Sequence, residues 1–210
     1  MDGTLVLVGP TAVACPVAPS IRTRTFRTEQ VLSVAVLPFL DLTAEHNYDF
    51  FAEGMAEEII DALVQNQSLR VIARTSSFQY KGKDRDIRRI GQDLNVEAVI
   101  EGSVRRDGDR LRITVQLNRV RDGSNAWSQT FDEPARDLLA AQREVSTSVA
   151  RRLNAPRAAG SRAHPVDPDT YRMFLEARYL FNAAPSSEKM LAAAEAYQKV
   201  IARDDRYAMA

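Results

Sequence analysis

The chain has 210 residues, of which 45% are hydrophobic and 27% are charged, a composition typical of a folded globular protein. Lys and Arg together number 28, as do Asp and Glu, so the net charge is zero and no overall field attracts nucleic acid or an anionic membrane. The single cysteine, Cys15, excludes an internal disulfide, and no apolar run is long enough to cross a bilayer as a helix.

Residues 1–31 are predicted to form a poorly ordered leader. Their apolar stretch contains Ala-Val-Ala-Cys, as a lipoprotein signal would. However, no Lys or Arg precedes it, and Gly9-Pro10 would break a short helix. A poorly ordered leader is therefore favoured over export or lipidation, and modification of Cys15 is left open.

Residues 32–154 carry the pattern of a packed α/β domain. A valine-rich run over 32–42 predicts a strand buried on both faces, with pairing expected to end at Pro38, which has no N–H. Residues 48–67 repeat apolar side chains at spacings of three and four, which predicts an amphipathic helix. A second short strand is predicted over 69–73.

Three carboxylates, Glu53, Glu57 and Asp61, fall opposite the apolar side of this helix. At these spacings they could hold a metal ion, but no histidine or other ligand converges on them in the sequence. Like charges on a helix surface are only mildly unfavourable in water. We therefore expect a solvated helix face and no metal site.

The next segment predicts a helix and a three-strand antiparallel meander. Asp86 is a candidate N-cap, Gly91 is expected on the packing face of the helix, and Asp-Gly pairs mark the two turns of the meander. Side chains of the middle strand are expected to alternate between the core and solvent. Its expected core residues are Leu111, Ile113, Val115 and Leu117, and its expected solvent residues are Arg110, Arg112, Thr114, Gln116 and Asn118. Asp137 then begins a closing helix. The fold class is α/β: a βαβα start, the meander and this helix.

Arginines crowd the solvent side of the meander. Arg105, Arg110 and Arg112, with Trp127 on the third strand, are candidate contacts for an anion or a protein partner. The alternative is that these arginines keep an exposed strand soluble and discourage edge pairing. Because nearby aspartates offset part of the charge and the net charge is zero, solubility is favoured and nucleic-acid binding is not expected.

No catalytic constellation is evident. The two histidines, His46 and His164, lack a nearby nucleophile motif, and no glycine-rich phosphate loop joins a strand to a helix. Asp41, His46 and Asp49 could cluster at the sheet edge formed by residues 38–49, where open α/β sheets place ligands. That edge is the candidate small-molecule site. We expect no catalytic residue, no metal and no cofactor.

Residues 155–168 are predicted to be a linker, and residues 169–210 a helical hairpin. The apolar stripe predicted for its second helix contains Leu191, Ala194, Tyr197, Gln198 and Ile201. One hairpin cannot bury such a face alone. Tyr179, Tyr197 and Ile201 are therefore expected to form a docking face for the α/β domain, a second copy or another protein.

Four segments in fixed order carry a family resemblance: SVAVLPF, FFAEGMAEEIIDAL, LRVIARTSSFQYKGK and VEAVIEGSVRRDGDRLRITVQL. Over about 34–153 they resemble the TolB amino-terminal-like domain, also called FlgO-like. The hairpin resembles a tetratricopeptide repeat, although its loop is longer than usual and Asp205 replaces the usual proline.

The resemblance implies a bacterial interaction or sensory module without established catalytic residues, usually periplasmic. Such modules typically lie between a winged-helix DNA-binding or nucleotide cyclase domain and a string of tetratricopeptide repeats. We therefore favour a non-enzymatic module, a fragment of a larger signalling protein that binds protein partners through the repeat; self-association is left open. The alternative is a small-molecule or anion-binding domain that uses the arginine face or the 38–49 edge. A cytoplasmic location would follow if the chain is an unexported fragment.

Overall fold

The computed structural model describes residues 32–83, 86–154, 167–183 and 186–205. The leader predicted over 1–31 and most of the predicted linker lie outside the described residues. In chain order the elements are β1 (Leu32–Val36), β2 (Leu40–Asp41), α1 (Asp49–Val64), β3 (Leu69–Val71), α2 (Arg74–Ser77) with a 3₁₀ turn (Phe78–Tyr80), α3 (Ile87–Asp93), β4 (Ala98–Asp107), β5 (Arg110–Arg119), β6 (Asn125–Pro134), α4 (Leu138–Arg152), α5 (Pro168–Asn182) and α6 (Ser187–Arg203).

The described strands form one mixed sheet in the order β3-β1-β4-β5-β6, with β2 paired to the far end of β4. β1 runs parallel to β3 and β4, whereas β4, β5 and β6 form an antiparallel meander. The predicted α/β class is confirmed. None of the described helices is both long and apolar enough to span a membrane.

The first predicted strand is split in two at Leu37–Phe39. Phe39 is fully buried and lies over Gly102, where any side chain would collide with its ring. Beyond the break, β2 pairs with β4: Leu40 lies opposite Ser103, and Asp41 lies opposite Val104. The break thus carries Phe39 into the core at a point where β4 has no side chain.

Helices cover the two faces of the sheet unequally. α1 and α4 pack on one face and bury the main core, including Val34, Ile100 and Ile113. α3 covers only the end of the other face near β1, around Ala35, Val99 and Ile90. As predicted, Gly91 lies on the packing face of its helix, in close contact with Val120. The rest of that second face is left to solvent.

The alternation predicted for β5 holds for its core side, since Leu111, Ile113, Val115 and Leu117 are all buried. Arg110 and Arg112 are exposed as predicted. Three of the expected solvent residues are not: Thr114 and Gln116 are half-buried and Asn118 is buried. Asn118 lies opposite Val99, on the part of the face that α3 covers, and its amide donates to Glu101 Oε1 at 2.8 Å.

The stripe predicted for the second hairpin helix is not its packing face. α6 packs against α5 through Ala193 and Val200, with Tyr197 half-buried between them. Leu191, Ala194 and Ile201 are exposed. The small side chain of Ala193 allows close approach to α5, whose Ala177 is also fully buried, and the larger apolar residues are left on the outside.

Candidate interaction site

The carboxylate column on α1 is not a solvated face. Glu57 is buried and forms ion pairs with Arg74 of α2 and Arg178 of α5. The side-chain amide of Asn182, at the end of α5, donates to Glu57 Oε1 at 3.2 Å. The sequence-based expectation was therefore wrong for Glu57, because α2 and α5 bring two guanidinium groups and an amide to this carboxylate. We call Glu57, Arg74, Arg178 and Asn182 the junction cluster.

Glu53 extends this network to the loop after α2. Its carboxylate lies 3.2 Å from an Arg74 guanidinium nitrogen and 2.9 Å from Lys81 Nζ. Lys81 also lies 3.4 Å from Asp49 Oδ1 and 5.4 Å from the ring centroid of Tyr179. Burial works to lower the pKa of Lys81, but the hydrogen bond and charge of Glu53 together with the charges of Tyr179 and Asp49 outweigh it, so this pKa is raised above its ordinary value. The ammonium group therefore stays charged.

A contact between uncharged residues lies where α1, α4 and α5 meet, one turn of α1 before Glu57. A side chain at Gly54 would lie 3.0 Å from Gln142 Nε2 and 3.1 Å from Leu175 Cδ2, so the glycine allows this close crossing. The Tyr171 hydroxyl of α5 donates to Gln142 Oε1, and both residues are buried. Contacts along the length of α5 thus fix it to the α/β domain.

The outer face of α6 has the opposite character. Its exposed apolar residues are Met190 (51% exposed), Leu191 (63%), Ala194 and Ile201 (46%), which we call the α6 outer face. Of the three predicted docking residues, only Ile201 belongs to it. Tyr179 is half-buried beside Lys81, and Tyr197 contacts Phe174 edge-on with ring centroids 6.2 Å apart.

The structure brings the predicted arginines together but separates them from Trp127. Arg105 lies directly opposite Arg112 on the neighbouring strand. Arg112 and Arg110 both approach Asp132, at 3.2 and 3.9 Å. Trp127 lies opposite Leu117 and therefore on the core side of the sheet. The proposed grouping of arginines beside a tryptophan does not form.

The carboxylates of the predicted 38–49 site serve internal roles. Asp41 is buried, and its two carboxylate oxygens accept the backbone N–H groups of Thr43 at 2.9 Å and Tyr48 at 2.6 Å. Asp49 points to Lys81, as described above, and His46 Nδ1 contacts the Asp41 carbonyl oxygen at 3.0 Å. Asp41 thus shapes the loop rather than offering free oxygens to a ligand. Among the described residues no group of three or more His, Cys, Asp and Glu is placed to hold a metal ion.

Comparison with known proteins gives the family. The family model described as HilA/YgeH-like transcriptional regulator, second domain, matches residues 29–148. That match covers more than half of the chain, which therefore belongs to this family. A protein of Rhizobium meliloti (strain 1021) named "Putative adenylate cyclase 3" is 38% identical over 164 residues. The alignment covers 74% of this chain but only 28% of that protein's length.

Two solved structures are similar at low identity. TolB from Acinetobacter baumannii is 14% identical, with a TM-score of 0.42 over 60% of this chain and 29% of TolB. Lipoprotein GNA1162 from Neisseria meningitidis is 20% identical, with a TM-score of 0.42 over 59% of this chain and 97% of its own. Both similarities are low and carry no functional conclusion. The tetratricopeptide resemblance of residues 169–210 stays a prediction.

Proposed function

We propose that this chain is a non-enzymatic interaction module of a bacterial signalling protein, of the regulator or cyclase type. Family membership supports the regulatory setting, and the adenylate cyclase relative supports the second type. The carboxylates that sequence analysis offered for ligand or metal binding are engaged within the protein, Glu57 in the junction cluster and Asp41 in its loop. The periplasmic location remains a prediction.

The observation that carries the proposal is the α6 outer face. Single exposed leucines are ordinary on a protein surface, but a stripe along one helix marks a contact surface. Met190, Leu191 and Ile201 are each about half exposed or more. Since α6 packs on α5 through Ala193 and Val200, the stripe lies outside that contact. Its occupant is an apolar helix, either of a further repeat or of a partner protein.

The junction cluster gives this surface a fixed orientation. α5 is held to α1 by the ion pair of the buried Glu57 carboxylate and by the close approach at Gly54, and to α4 by the hydrogen bond from Tyr171 to Gln142. α6 is held to α5 by Ala193 and Val200, and Arg203 pairs with Asp167 at 2.8 Å at the start of α5. A partner bound to α6 would therefore be held at a defined angle to the sheet.

The test adds an idealised tetratricopeptide repeat after residue 210 and follows thermal unfolding by circular dichroism and calorimetry. If the α6 outer face accepts a helix, the added repeat folds with the domain and raises the melting temperature. Leu191→Lys should abolish that gain, because it places a charge in the new interface. Val64→Lys is the matched control, since Val64 is 56% exposed on α1. A gain that survives Leu191→Lys would contradict the proposal.

A further inference from the structure

A second surface lies on the sheet face that α3 leaves uncovered. Directly opposite residues of neighbouring strands share a face. The pairing places Leu40, Ser103, Thr114 and Thr130 side by side across four strands, and the next row holds Arg105, Arg112 and Asp132. We call these seven residues the open face. The split of the first strand at Leu37–Phe39 creates it, because β2 then pairs with the far end of β4.

The open face has more guanidinium groups than carboxylates to pair with them. Arg105 and Arg112 are like charges held directly opposite each other, an arrangement that weakens a sheet. Arg112 shares Asp132 with Arg110, whereas the Arg105 guanidinium has no ion pair or hydrogen bond among the described residues. Asp107 lies two residues beyond Arg105 and offsets part of this charge without an ion pair to either arginine. A carboxylate of a ligand placed between Arg105 and Arg112 would reduce the repulsion between these two like charges.

Apolar side chains border the same arginines. Leu40 is 49% exposed in the row next to Arg105, and Leu42 is 43% exposed just beyond β2, where its N–H donates to the Val104 carbonyl at 2.8 Å. A single exposed leucine is ordinary on a protein surface. Beside an arginine without a carboxylate partner, these two leucines favour a ligand that carries both negative charge and apolar groups.

We propose that the open face, with the adjoining Leu42, binds an acidic protein segment with interspersed apolar side chains. The carboxylates of the segment would contact Arg105 and Arg112, and its apolar groups would contact Leu40 and Leu42. Single-stranded nucleic acid fits less well, because bases need aromatic stacking partners and Trp127 lies on the other side of the sheet. A bare phosphate would make no use of the leucines. This surface is independent of the α6 outer face.

The test measures fluorescence anisotropy of a labelled peptide in which Glu and Leu alternate, titrated with the full chain. The double variant R105Q/R112Q should weaken binding by at least about tenfold, since each guanidinium makes a charge-assisted hydrogen bond. Leu40→Ser should also weaken it. Arg121→Gln is the matched control, because Arg121 is 89% exposed on the β5–β6 turn, and it should leave binding unchanged.

Three results would overturn the proposal. The first is equal binding by R105Q/R112Q, or by a peptide in which Lys and Leu alternate. The second is tighter binding of inorganic phosphate or oligothymidine than of the Glu–Leu peptide. The third is a set of amide NMR shifts, on adding the peptide, that centres on α6 instead of β4 and β5. That third result would still be compatible with the interaction proposed for the α6 outer face.

Discussion

The two helices of the C-terminal hairpin are similar in length, with 15 and 17 residues, but differ in what surrounds them. α5 lies against α1 and α4 and contributes Arg178 and Asn182 to a buried carboxylate. α6 packs mainly against α5 and leaves Leu191 and Ile201 in solvent. Buried ionic contacts require one geometry, whereas an apolar stripe accepts many partners. The hairpin therefore combines α5, whose position is fixed by contacts with the α/β domain, with α6, whose outer face is exposed and available to a partner.

The largest contrast is expected from the same substitution in each helix. Leu175→Ala in α5 should lower the free energy of unfolding by about 2–5 kcal/mol, because a leucine that is 2% exposed leaves a cavity. Leu191→Ala in α6 should change it by less than about 0.5 kcal/mol, as for other surface positions. Urea unfolding measures both. Equal losses would show that α6 is buried in solution.

Removal of the junction carboxylate should have the next largest effect. Glu57→Ala leaves Arg74 and Arg178 without their buried partner and should cost about 3 kcal/mol. This is the low end of the usual range, because Arg74 keeps Glu53 at 3.2 Å. Asp61→Ala, at an exposed position of the same helix, is the control and should change stability little. If both variants lose the same small amount, the cluster does not anchor α5.

Loss of the N-cap of α6 should have a smaller effect on stability, and this effect should be confined to α6. The Ser186 hydroxyl caps α6 by accepting the Lys189 N–H at 3.2 Å. Ser186→Ala should cost about 1 kcal/mol in α6 and leave α5 unaffected, which site-resolved hydrogen exchange can show. Equal destabilisation of both helices would mean that they unfold only together.

The cap of α5 should add a pH dependence. The Thr170 N–H donates to the Asp167 carboxylate and holds the pKa of Asp167 below its ordinary value. Because the folded-state pKa is the lower one, this stabilisation is complete above the unfolded pKa of about 3.9 and is lost as the pH falls. The stability gap between the wild type and Asp167→Ala should therefore narrow on acidification. A gap that widens at low pH would contradict this assignment.

The elements with strong local patterns could be predicted from the sequence. The core side of β5, the Asp-Gly turns and the cap at Asp86 are fixed by residues close in sequence, and each is confirmed. The junction cluster could not be predicted, because Glu57 meets Arg178 across more than a hundred residues. Nor could the short helix α2, whose Arg74 completes the cluster. On α6, Ala193 and Val200 are apolar as well as Leu191 and Ile201, and only the docked position of α5 decides which pair is buried.

The central claim is that α5 is part of the α/β domain, whereas α6 is held in place by α5 alone. Hydrogen exchange, measured on the full chain as a dilute monomer, tests this claim most directly. We expect the amides of α5 to exchange as slowly as those of α1, because the junction cluster and the Gly54 crossing join them. Those of α6 should exchange faster, through opening of the Ala193 and Val200 contact. If α5 and α6 exchange together and much faster than the sheet, the hairpin is a separate unit and the central claim fails.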